Sequence, residues 1–111
     1  MDSEQAVAAL AALGNGLRLE IWRMLLPYGS IGLPAGLIAA RLAVPPSSLS
    51  FHLQQLTHGK VLLQRRSSRQ IIYAVNNGAI DRLWDFLTQG EGFPVPGTSL
   101  SAGEACNIVG D

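Results

Sequence analysis

Between Ser47 and Arg69 the chain gathers hydroxyl, carboxamide, imidazole and guanidinium groups, with no carboxylate among them. Ser47, Ser48, Ser50, His52, Gln54 and Gln55 share one short segment, and Arg65, Arg66 and Arg69 follow soon after. Hydroxyls and carboxamides can bond to base edges or phosphate oxygens, and guanidinium groups neutralise phosphates. These residue types therefore point to binding of a nucleic acid. Catalysis is not expected, because no Ser/His/Asp arrangement, paired acid site, phosphate loop or metal cluster accompanies them.

The charge map supports that direction. The 111 residues carry eight basic and eight acidic side chains, for a formal charge of zero. Every acid, however, lies at or before Glu20 or at or beyond Asp81. The interval between holds Arg23, Arg41, Lys60, Arg65, Arg66 and Arg69, a formal +6, which leaves −6 on the two ends. A basic middle between acidic ends is a segregated field, and segregation is what steers a polyanion.

These side chains need elements to hold them. Leu49, Leu53 and Leu56 recur at helical spacing, so residues 46–57 should form a helix with those leucines inward and the polar residues outward, Phe51 on its flank. Gly59 suits the left-handed position after that helix. Alternation over 61–66 and 70–75 predicts two strands, joined at a tip formed by Ser67, Ser68 and Arg69.

Upstream, the alanine-rich residues 3–13 are strongly helix-prone, with Ser3 as N-cap and Val7, Leu10 and Ala11 on one face. Asn15 can cap a core helix over 17–26 that carries Ile21, Met24 and Leu25 inward. Residues 34–42 form a further helix, with Pro34 at its first position and Leu37, Ile38 and Leu42 as its stripe. Beyond the strands, Asn76 and Asn77 cap a last helix over 78–89, striped by Ile80, Leu83, Trp84 and Leu87. The expected architecture is mainly α with a small β-hairpin (α+β), in the order ααααββα. It forms a winged helix-turn-helix domain over 1–89. Residues 90–111, rich in glycine and proline, are expected to form a flexible tail.

Length suits one domain, and burial in a chain this small is marginal enough to favour an oligomer. The lone Cys106 agrees with a reducing compartment. Without a long apolar run or a basic leader, a soluble cytoplasmic protein with no membrane partner is expected.

The segments AALAALGNGLRLEIWRMLL, GLPAGLIAARLAVPPSSLSFHLQQLTHGKVL and LLQRRSSRQIIYAV, followed by LWDFLT, closely resemble the ArsR (SmtB/ArsR) family of bacterial metalloregulatory repressors. The resemblance covers most of residues 5–89, with the SFHL core, the glycine after the helix, the paired arginines and Tyr73 in the family's order. It implies a homodimer built through residues 3–13 and 78–89. It further implies repression through a near-palindromic double-stranded operator, released when an effector binds.

Where the family's sensing ligands would fall, this chain departs from it. Gln89, Gly90, Glu91 and Gly92 stand where the arsenic-responsive branch often carries adjacent cysteines, and no cysteine lies between Leu33 and Ala40. The last helix offers Asp81 and Asp85 but no histidine for a zinc site. Cys106 is expected to be a plain tail thiol. Its alternative is a sensor, oxidisable or binding a trivalent arsenical. No other cofactor is expected. A winged-helix module for protein–protein contact, without operator binding, is the other functional class the sequence admits.

Overall fold

The computed structural model describes residues 1–89. The proposed tail and Cys106 lie outside the described residues. The elements are α1 (Ser3–Leu13), α2 (Gly16–Leu25), a 3-10 segment (Leu26–Ile31), β1 (Leu33–Pro34), α3 (Ala35–Leu42), α4 (Pro46–His58), β2 (Leu62–Ser67), β3 (Gln70–Val75) and α5 (Asn77–Thr88). The expected order stands apart from two additions, the 3-10 segment and the two-residue strand β1. β1 pairs antiparallel with β3, Leu33 opposite Tyr73 and Pro34 opposite Ile72, and gives a sheet ordered β1-β3-β2. Pro34 is tolerated there because β1 is an edge strand, so Pro34 precedes α3 as its N-cap instead of opening it.

Gly32 makes this pairing possible. Its φ is +66°, and a Cβ there would collide with the Tyr73 carbonyl. No two-residue strand could be read from alternation, because alternation needs more than one period.

Helix starts are set by local chemistry. At α1 the cap is Asp2, not Ser3. Its Oδ1 accepts from the Gln5 amide at 2.8 Å while Gln5 Oε1 accepts from the Asp2 amide at 3.0 Å, a reciprocal box. Asn15 caps α2 as expected, its Oδ1 accepting from the amides of Leu17 and Arg18. At α5 the cap position is Asn76, but its side chain instead donates to the Lys60 carbonyl at 2.8 Å. That bond ties the start of α5 to the turn after α4.

The core runs through Ile21, Leu25, Ile38, Leu49, Leu53, Leu56, Val61 and Leu62, all fully buried. Trp22 flanks it and donates through Nε1 to the Val61 carbonyl at 3.2 Å, a packing role. Leu26, in the 3-10 segment, is exposed. Leu37 is likewise exposed, and Ala39 joins Ile38 inside.

The terminal helices turn their faces differently from the sequence expectation. α1 buries Ala6, Ala9 and Ala12 and leaves Val7 and Leu10 61% and 46% exposed. The reason is close approach to α4: a Cβ on Gly59 would lie 2.6 Å from the Ala12 Cβ and 2.8 Å from the Ala8 carbonyl oxygen. Only small side chains fit that crossing. Gly59 itself has φ −76°, and it is Lys60, at φ +67°, that takes the left-handed position expected of the glycine. On α5 only Ala79 and Leu83 are buried, whereas Trp84 and Leu87 are 66% and 52% exposed. The two terminal helices thus carry uncovered apolar surface. No helix among the described residues is long and apolar enough to cross a membrane.

Candidate nucleic-acid interface

Two prolines set the start of α4. Pro45 holds extended geometry before the helix, and Pro46 occupies its first turn, where a missing N–H costs nothing. Because Leu49, Leu53 and Leu56 anchor one face, the opposite face is carried outward. Ser47, Ser48, Ser50, Gln54 and Gln55 are all exposed on it or beside it. α4 contains no acidic residue, so its outward face offers donors and acceptors without charge repulsion toward a polyanion.

His52 sits differently. It lies on the flank of α4 nearest the core, is half-buried, and its Nδ1 is 3.2 Å from Nη1 of Arg18. Arg18 Nε also donates to the Ala12 carbonyl at 2.8 Å, so one guanidinium joins the end of α1, the start of α2 and the middle of α4. No sequence signal marked Arg18, because its partner lies 34 positions away.

Phe51 also lies elsewhere on α4 than on its flank. It follows Leu49 by two positions and precedes Leu53 by two, so it stands about 200° round the helix from each. It is therefore near the centre of the outward face and not on its flank, and it is 55% exposed. The spacing alone would have revealed this. Its ring meets that of His52 edge to face, with centroids 5.5 Å apart and planes at 69°.

The hairpin sorts its arginines by strand alternation. Arg66 pairs across from Ile71, and Gln64 from Tyr73, on one face of the sheet; Arg65 pairs across from Ile72 on the other. Arg65 Nη2 donates to the Ile31 carbonyl at 3.1 Å, which draws it toward the 3-10 segment. Arg69 lies in the two-residue tip with Ser68, whose φ is +57°. All three arginines are exposed.

A groove of about 440 Å³ brings the hairpin and helices together. Arg69, Gln70 and Tyr73 line it from the hairpin, Ser50 and Leu53 from α4, and Ala39 from α3. Tyr73 is buried against this groove, and burial pushes its phenol above the ordinary value of 10.0. The arrangement places a helix with an acid-free face beside a hairpin tip bearing a guanidinium. Among the described residues no group of three or more His, Cys, Asp or Glu side chains could hold a metal ion.

The helix pair α3–α4 with its flanking hairpin defines a winged helix-turn-helix protein. Comparison with solved structures agrees. A DNA-binding transcriptional regulator of E. coli, so named on prediction, matches at 30% identity over 78% of this chain and 90% of its own, with a TM-score of 0.60. A homodimeric winged helix-turn-helix DNA-binding domain from Mycobacterium bovis, described as a possible ArsR-family regulator, matches at 26% identity over 78% of this chain and 77% of its own, with a TM-score of 0.63. An ArsR-like regulator from Rhodococcus sp. RHA1 shares the fold at 23% identity over 78% of each chain, with a TM-score of 0.68. No family model and no curated protein matches the chain. The chain is thus a winged helix-turn-helix protein of the DNA-binding transcriptional regulator class, and it is similar to regulators described as ArsR-like or as possible members of the ArsR family.

Proposed function

We propose that the protein is a homodimeric, sequence-specific DNA-binding repressor. In this role α4 enters the major groove and the β2–β3 hairpin lies against the neighbouring backbone or minor groove. The observation that carries this reading is the acid-free outward face of α4 beside the Arg69 tip, across one shared groove. Ser47, Ser48, Ser50, Gln54 and Gln55 supply the hydrogen-bonding groups, and Arg66 and Arg69 the charge. Two copies meet through α1 and α5, whose exposed Val7, Leu10, Trp84 and Leu87 call for cover. The homodimeric state of the Mycobacterium bovis domain supports the same assembly.

Release from the operator by an effector completes the proposal. Cys106 is the chain's single cysteine, so a trivalent arsenical or other thiol-reactive input would act there. Titrating the DNA complex with As(III), a methylated arsenical, Zn(II) and peroxide, with Cys106→Ser as control, identifies the input.

Binding itself is tested on DNA flanking the protein's own gene. With about three to four phosphate contacts per protomer, log affinity should fall against log salt with a slope of about −6. Half-sites should lie about one helical turn apart. Arg69→Ala should weaken binding without changing the melting temperature. Binding that ignores both sequence and salt would overturn the proposal and favour a protein-contact module.

A further inference from the structure

We infer that Phe51 reads the C5 methyl group of a thymine in each half-site. The inference rests on the DNA-binding role proposed above and names a contact that role does not require.

Phe51 is the one large apolar side chain on the outward face of α4, with the serines and glutamines around it. A phenyl ring neither donates nor accepts a conventional hydrogen bond, so it has nothing to offer a phosphate oxygen or a polar base edge. In the major groove of ordinary DNA the apolar feature presented to a protein is the thymine methyl, and phenylalanine is among the side chains that contact it. A ring near the centre of a face otherwise built for polar contacts matches that target.

The ring is also held in place. Its edge-to-face contact with His52 fixes it from one side, and Arg18 holds His52 through Nδ1 while bonding to the Ala12 carbonyl. The chain of contacts runs from the backbone end of α1 to the exposed ring. His52 and Arg18 are thus positioning residues for Phe51.

Replacing thymine by deoxyuridine removes this methyl and leaves every hydrogen-bonding group of the base pair unchanged. The full-length chain is used to select binding sites from random duplexes, and each thymine of the recovered half-site is then replaced by deoxyuridine. An invariant thymine is expected in each half-site, and its replacement should weaken wild-type binding about fourfold per half-site, the worth of one buried methyl-sized group. The penalty should shrink in Phe51→Leu and vanish in Phe51→Ala. Phe51 is exposed, so both variants should keep the wild-type melting temperature. If Phe51→Ala binds too weakly to measure, the wild type and Phe51→Leu still decide the order. Wild-type indifference to every deoxyuridine, or an undiminished penalty in Phe51→Leu, overturns the inference and leaves the DNA-binding role standing. Recovery of no sequence at all overturns both.

Discussion

Arg18 Nη1 lies 3.2 Å from His52 Nδ1 and, through Nε of the same guanidinium, Arg18 holds the Ala12 carbonyl at 2.8 Å. One side chain therefore couples the end of a terminal helix to the helix that faces outward toward a ligand. For Nδ1 to accept from arginine, the imidazole must carry its proton on Nε2.

Arg18→Met keeps much of the aliphatic stem and removes both bonds. We expect a loss of about 1–3 kcal/mol in urea unfolding, the range for partly buried hydrogen bonds made by a charged donor. Arg23→Met, on the exposed side of the same helix, should change stability by less than about 0.5 kcal/mol. Equal effects from the two would show that the bonds contribute nothing.

Two glycine substitutions should act in opposite directions. Gly59→Ala forces a Cβ against Ala12 and Ala8, and should cost about 1–3 kcal/mol as α1 is pushed off α4. Gly36 has open space around its Cβ position, and Gly36→Ala within α3 should stabilise by about 0.5–1 kcal/mol. Thermal melts of the two variants beside the wild type check both signs.

The uncovered face of α5 predicts its own failure mode. Trp84→Glu places a charge on a residue that is 66% exposed in the single chain, so the isolated fold should tolerate it. Light scattering on a sizing column should show a dimeric wild type and a monomeric variant. A wild type that remains monomeric at micromolar concentration would remove the dimer from the proposed function.

Tyr73 gives a pH dependence with a definite sign. Burial raises its phenol above 10.0, so between the unfolded and folded values the native state keeps a proton that the unfolded chain has lost. Stability from this group is therefore complete below about pH 10 and is lost as pH climbs past it. Tyr73→Phe should lose less melting temperature than the wild type between pH 9 and pH 11. Parallel curves would contradict the burial of the hydroxyl.

Much of this architecture was legible beforehand. α4 announced itself because Leu49, Leu53 and Leu56 keep strict helical spacing and two prolines mark its start. The hairpin did so because two alternating strands are separated by a short polar tip, and β3 runs over the expected residues. The misjudged faces share a cause. On α1, hydrophobicity favoured Val7 and Leu10 over the alanines, whereas the close crossing at Gly59 selects for small volume. On α5, the stripe correctly marked apolar surface, but periodicity cannot say whether that surface meets its own core or another chain.

Local spacing and charge order, both properties of neighbours along the chain, thus accounted for the helices, the hairpin and the basic middle segment. Contacts between distant residues were settled elsewhere. The Arg18–His52 bond, the strand pairing made possible by Gly32 and the capture of Arg65 by the Ile31 carbonyl each join positions more than thirty apart. Such partners are chosen by packing of the whole fold, where geometry leaves one acceptor within reach, and no periodic pattern records that choice. The outward serines and glutamines, and the ring set among them, follow from the order of residues; the arginine that steadies the ring emerged once the chain was folded.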